Sequence, residues 1–230
     1  MHILELVYPG RCPFCDRVTE QEICEECKKE LKTIKEPRCK KCGKPVRYRE
    51  QEYCGDCQIK HHEFEQGRSL WLHKQPVSTS IYRFKYGNRR RYAKYYGSCM
   101  AREFGALLKQ WHIEVIMPIP LHKARHRKRG YNQAELLATE IGLLTDIPVD
   151  TVSLLRGKKT KPQKQLTEKA RAQNMKDAFR LSNRLQRKKT VLLVDDIYTT
   201  GCTIDAAAKL LKCSGVEKVY FLTISIGQGF

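Results

Sequence analysis

A chain of 230 residues with 41% apolar and 30% charged residues reads as globular, with room for one α/β domain and a small appendage. No segment approaches the roughly 20 apolar residues that cross a bilayer, and the opening Met1–Cys12 has too short an apolar run for a signal peptide, so a cytoplasmic protein without an integral membrane segment is expected. The formal charge of +19 is uneven: residues 1–60 hold 13 Lys/Arg against 11 Asp/Glu, whereas 61–230 hold 31 against 14, which places any anion-attracting surface in the later part.

Residues 1–60 read as a cysteine-rich module. Cys12/Cys15, Cys24/Cys27, Cys39/Cys42 and Cys54/Cys57 are four Cys-x-x-Cys pairs, and with no export signal this spacing favours metal over disulfides. Two intervening residues let both sulfurs of a pair reach one tetrahedral ion, and a second pair closes the site without an open position. Two structural Zn²⁺ ions are therefore expected, in a segment too short to build a core unaided. Sequential pairing closes the shortest loops, but interleaved pairing satisfies the spacing as well. The module serves either as a purely structural appendage or as a docking or nucleic-acid element.

Residues 61–80 are irregular and read as a connector, with Trp71 packed on the next domain. Residues 81–230 form that domain. Its first stretch, Ile81 to Tyr96, holds six Lys/Arg, five Tyr and no acid. Aromatics interleaved with cations suit single-stranded nucleic acid, with Arg89, Arg90, Arg91 and Lys94 as candidates; the alternative is a solvated helix whose tyrosines partly face the core. Tyr92, Tyr96, Met100, Phe104 and Leu107/Leu108 follow helical spacing. Val115 to Pro118 reads as a short strand, Leu121 to Gly130 as a basic stretch whose Arg125, Arg127 and Arg129 are further nucleic-acid candidates, Asn132 to Leu144 as a helix, and Val149 to Leu155 as another strand. Arg156 to Gln173 reads as a basic loop over a site, ending in a helix that begins after Thr167. A strand over 190–194, a helix over 203–213 stopped by Gly215 and a last strand over 219–226 complete an α/β fold with a mostly parallel sheet.

The stretch VLLVDDIYTTGCT, Val191 to Thr203, carries the chemistry. Ligands of open parallel sheets bind beyond the carboxyl ends of the strands, where this strand sets Asp195 and Asp196. The loop after them runs into a helix N-terminus, whose free N–H groups, with the hydroxyls of Thr199, Thr200 and Thr203, can hold a phosphate. Gly201 permits close backbone approach. Carboxylates repel phosphate, so the two acids face another part of the ligand, and a sugar phosphate fits both halves.

This stretch resembles the phosphoribosyl pyrophosphate (PRPP) signature of type I phosphoribosyltransferases. Together with MPIPLHKARHRKRGYNQAELLA and KKTKPQKQLTEKARAQNMKDAF, and with the order of Cys-rich module before transferase-like domain, it resembles the ComF family of competence proteins over nearly the whole chain. The resemblance implies that Asp195 and Asp196 bind ribose hydroxyls, that Thr199, Thr200, Gly201, Cys202 and Thr203 hold the 5-phosphate, and that Pro118, Ile119, Pro120 and Leu121 form a diphosphate loop with a strained peptide. It also implies Mg²⁺ with PRPP, and a flexible hood near Lys158 to Lys164. As partners it implies single-stranded DNA and competence helicase or recombination-mediator proteins, with recruitment by a partner to the inner membrane face.

The chain departs from the transferases in lacking a recognisable base-selecting segment. Three functions remain open: a DNA-uptake protein with a PRPP-binding domain, a salvage phosphoribosyltransferase, and a PRPP-sensing adaptor. His122 and His126 read as part of an anion surface, Cys202 as inert packing, and Cys99 and Cys213 as buried small hydrophobes.

Overall fold

The computed structural model describes residues 10–157, 178–183 and 188–228, so the expected hood and the helix after Thr167 lie outside the described residues. Two short helices belong to the Cys-rich module: α1, Glu25–Glu30, and α2, Gly55–Ile59. There follow β1 (Gly67–Leu72), α3 (Val77–Tyr86), α4 (Tyr92–Gln110), β2 (Val115–Pro118), α5 (Lys123–Arg129), α6 (Gln133–Thr145), β3 (Leu154–Arg156), β4 (Phe179–Leu181), β5 (Thr190–Tyr198), α7 (Cys202–Cys213) and β6 (Lys218–Ile226). None of the described helices is long and apolar enough to cross a membrane.

The main sheet has the order β1-β6-β5-β2, with every neighbouring pair parallel. Parallel strands are covered on both faces and so carry unbroken apolar runs, as in Val191 to Val194, each 0% exposed. On one face α3, α4 and α6 bring Phe84, Tyr96, Met100 and Leu137 against Leu192, Val194 and Leu222. On the other, α7 lays Ile204, Ala207, Ala208 and Leu211 over Val191, Leu193, Val219 and Phe221. Full burial of each such large side chain contributes roughly 1.5–3 kcal/mol.

The Cys-rich module joins both layers. Phe14 meets Trp71 and Tyr96 edge to face, at ring-centroid distances of 5.6 and 6.1 Å, so the first half of the module caps the α3/α4 face. The second half, with Cys39, Cys42 and Cys54, packs into the α7 face beside Phe64 and Tyr198.

Three expectations are corrected and one is extended. The segment 61–80 is no irregular connector, for it supplies β1, in parallel register with β6 from Gly67↔Phe221 to Leu72↔Ile226. At Gly67 an added Cβ would lie 1.9 Å from the Phe221 ring, so glycine is what lets this strand close on its neighbour. The strand expected over 149–155 is broken: Val149 makes an isolated parallel bridge to Ile116, and Asp150 then accepts from the amides of Val152 and Ser153, each at 2.9 Å, turning the chain before β3 pairs antiparallel with β4. The basic stretch 121–130 contains α5, capped by His122, whose Nδ1 accepts from Ala124 N at 3.2 Å, and ended by Gly130 at φ 76°. Cys99 is buried but Cys213 is exposed, because it lies in the last turn of α7, off the stripe formed by Ala207, Ala208 and Leu211.

Candidate functional site

The chain leaves β2 for Val149 on that strand's outer edge and leaves β5 for β6 on the opposite side, so the strand order reverses between β2 and β5. A crevice forms beyond the carboxyl ends at such a switch point. β5 is longer than expected from the sequence and continues to Tyr198, whereas β2 stops at Pro118 opposite Val194. The part of β5 that carries Asp195 and Asp196 thus lacks β2 at its side and borders the crevice.

The two acids meet different cations. Asp196 is buried, and its Oδ1 lies 2.8 Å from Nζ of Lys85, on α3. Asp195 accepts the amide hydrogen of Asp196 at 2.8 Å. Burial, and then the charge of Asp196, push the Asp195 carboxyl up to about 7, against the opposing pull of Lys85 and Arg156. Arg156 lies with its guanidinium 4.6 Å from the Phe179 ring centre; burial, and then Arg125, bring it down to about 10. His73, following β1, reaches Ser225 Oγ through Nδ1 at 3.0 Å, and burial followed by the charge of Lys85 lowers its pKa.

At the other end of the crevice the loop 199–201 enters α7. Gly201 has φ 82° and caps the helix, which begins at Cys202, one residue earlier than expected. An added Cβ at Gly201 would lie 2.7 Å from Tyr198 Oη and 3.1 Å from His62 Cε1, so the loop rests tightly on a buried floor. Thr200 Oγ1 donates to Cys202 Sγ at 3.2 Å. Across the crevice, Ile119 N–H donates to Val194 O at 2.9 Å, and Pro118 and Pro120 have no N–H, which leaves Leu121 as the amide of that turn outside the sheet. The cis peptides among described residues precede Pro37 and Pro76, away from this turn.

The nucleic-acid candidates divide. Arg89 lies 3.6 Å from Asp16, and Lys94 3.9 Å from Glu22, so both face acids of the Cys-rich module. Arg90 stacks over Tyr131 at 4.9 Å and donates to Gly130 O at 3.2 Å, while Arg91 is exposed. Tyr92 and Tyr96 are buried, which removes them from any surface. Tyr82 and Tyr86, 64% and 54% exposed, pair with ring centroids 4.9 Å apart. Arg129 covers Tyr86 at 4.8 Å, and Arg125 and Arg127 are exposed on the same short helix.

The eight cysteines form two sets, Cys12/Cys15/Cys24/Cys27 and Cys39/Cys42/Cys54/Cys57, with the sulfurs of each set within 4.8 Å of one another. Pairing is therefore sequential. Four mutually close sulfurs fit one tetrahedral zinc ion with no position left for substrate, as a structural site requires.

Sequence reasoning left Lys85 in a basic run read either as a nucleic-acid surface or as a solvated helix, placed Arg156 only at the start of the basic loop over the site, and passed over His73, His62 and Asp205. The one local signal was the apolar spacing of Val77, Ile81 and Phe84, which buries one face of α3 and carries Lys85 inward beside it.

Fold and site define a phosphoribosyltransferase-type domain joined to a pair of zinc ribbons. Residues 3–58 match the double zinc ribbon domain, and residues 126–225 match the phosphoribosyl transferase domain. The chain is 34% identical over 226 residues to competence protein F of Haemophilus influenzae, covering 91% of this chain and 93% of that protein. It is 28% identical to DNA utilization protein YhgH of Escherichia coli (strain K12), over 93% of this chain and 96% of that protein. To competence protein ComFC of Bacillus subtilis it is 28% identical, over 85% and 80%. The chain belongs to the ComF family of competence proteins.

Proposed function

We propose that this chain handles incoming single-stranded DNA in a competence pathway, and that its transferase-type domain binds PRPP. The observation that carries the ligand reading is the division of one crevice into a carboxylate end, Asp195 and Asp196, and an anion-accepting end at the start of α7. Ribose hydroxyls suit the first and the 5-phosphate suits the second. Mg²⁺, an oxygen-seeking cation, would supply charge neutralisation between diphosphate and ribose. Lys85, paired with Asp196, brings a cation to the carboxylate end, and Leu121 N offers a donor at the diphosphate side.

Calorimetric titration of PRPP with Mg²⁺ tests this: binding is expected, with loss of at least about a hundredfold in affinity on replacing both Asp195 and Asp196 by Ala. Undiminished binding by that variant would sink the assignment.

The DNA reading rests on Tyr82, Tyr86 and Arg129 together with the exposed arginines of α5. Stacking on exposed aromatic rings contributes roughly 1–3 kcal/mol per base, so Tyr82→Ala with Tyr86→Ala is expected to weaken an oligonucleotide by about tenfold or more. Affinity should also fall linearly with salt on logarithmic axes, and more gently after Arg125, Arg127 and Arg129 are neutralised. A salt-independent affinity would remove DNA from the proposal.

A transferase activity is a second reading, favoured by the two carboxylates that β5 sets at the crevice, of which burial and the charge of Asp196 hold Asp195 above the ordinary aspartate range. Diphosphate release with one nucleobase from a panel would establish it; a change in DNA affinity with PRPP unconsumed would favour a sensing role.

A further inference from the structure

We infer that His62 shields the phosphate loop from a carboxylate of its own helix, so that the chain leaving the second zinc site sets the loop's affinity for anions. The inference rests on the reading of that loop as a phosphate site. Asp205 lies in the first turn of α7, and its amide hydrogen bonds to Gly201 O at 2.8 Å. An acid in a first helical turn is attracted to the free amides there, and at this helix it competes with a phosphate for them and repels it.

Both oxygens of Asp205 are held elsewhere. Oδ2 lies 2.7 Å from His62 Nδ1, and Oδ1 accepts the amide hydrogen of Glu63 at 3.0 Å. His62 has a side chain only 1% exposed, and its Nε2 has no hydrogen-bond partner among the described residues. The hydrogen-bond network therefore assigns the ring proton to Nδ1, facing the carboxylate.

The clamp is fixed from the zinc side. His62 stacks on Phe64 with ring centroids 4.8 Å apart, and Phe64 meets Tyr198 and Phe221 edge to face. Lys41, between the ligands Cys39 and Cys42, covers the Phe64 ring at 5.5 Å. The same imidazole abuts Gly201, as its Cε1 shows. His62 thus touches the loop from beneath and acts on a ligand through Asp205, as a positioning residue.

The test is a double-mutant cycle on the zinc-loaded full chain, titrated with PRPP plus Mg²⁺ and separately with inorganic phosphate. His62→Ala frees the carboxylate to turn toward the loop amides and is expected to weaken PRPP by roughly tenfold, the effect of one negative charge brought to short range in a partly solvated site. Asp205→Asn alone should bind at least as well as wild type. The two together should recover most of the lost affinity, and His62→Asn, whose amide N–H takes the place of Nδ1–H, should stay close to wild type even if the alanine variant folds poorly. Unchanged binding by His62→Ala, or a double variant as weak as the single one, would overturn the shield while leaving the PRPP reading intact. Absence of PRPP binding by the wild-type chain would overturn both.

Discussion

At Asp195, burial and then the adjacent charge of Asp196 raise the carboxyl to about 7, far above an ordinary aspartate. The folded state holds this proton more tightly than the unfolded chain, so stability falls as pH rises from the ordinary aspartate range through about 7. Asp195→Asn removes that penalty. Urea unfolding is expected to show the variant gaining on the order of 2 kcal/mol over wild type at pH 8, discounted for the half-buried position, and little at pH 4; a gain independent of pH would contradict the assignment. Asp196 differs because Lys85 neutralises it at 2.8 Å. Lys85→Met leaves that buried charge unpaired and is expected to cost about 3 kcal/mol, with most of the stability restored when Asp196→Asn is added, as the same urea experiment will report. The acids themselves were legible because they follow a contiguous apolar run. Their cations were not, since Lys85 and Arg156 reach the site from distant elements and look locally like any basic surface residue.

Among the elements, β1 and the α7 entry bear most on the site. Strand β1 has an apolar middle yet begins at glycine, and short apolar runs without clear alternation leave no periodic signal. Its place at the sheet edge depends on Gly67 admitting the Phe221 ring. Gly67→Ala is expected to lower stability by about 3 kcal/mol through overpacking, measured as a drop in urea midpoint with unchanged slope. Gly201→Ala combines strained backbone with a Cβ driven onto Tyr198 and His62; it should lose PRPP affinity by more than tenfold, checked by calorimetry. The β5–α7 unit was readable in sequence because strand, turn glycine and helix are adjacent. The break at Asp150 was missed because the apolar residues of 149–155 invite a continuous strand, while the side chain of Asp150 captures the amides that would extend it.

Over the whole molecule, the two zinc ribbons serve different faces of one sheet. The first is tied to α3 and α4 through Phe14 and Arg83, which donates to Phe14 O at 3.1 Å, whereas the second lies beside the floor of the loop that enters α7. Elemental analysis is expected to find two zinc ions per chain. Replacing Cys39 and Cys42 by Ser should weaken PRPP more than replacing Cys12 and Cys15, although both changes lower the melting temperature; equal effects on the ligand would argue against this division. The charge map also depends on assembly. Arg89 and Lys94 are turned toward acids of the first ribbon, and the exposed aromatics are Tyr82 and Tyr86 rather than the whole run.

The sequence by itself determined the two kinds of chemistry whose partners are neighbours in the chain: thiol pairs at metal spacing, and a strand that delivers two acids into a hydroxyl- and glycine-rich helix entry. Only the tertiary structure decided which pairs share an ion, that residues 67–72 complete the sheet, which tyrosines reach solvent, and that Lys85, Arg156, His62 and Asp205 surround the crevice. The physical reason is range. Spacing and periodicity report what adjacent residues do to one another, while the neutralisation of a buried charge depends on which distant side chains the packed layers bring within a few ångströms.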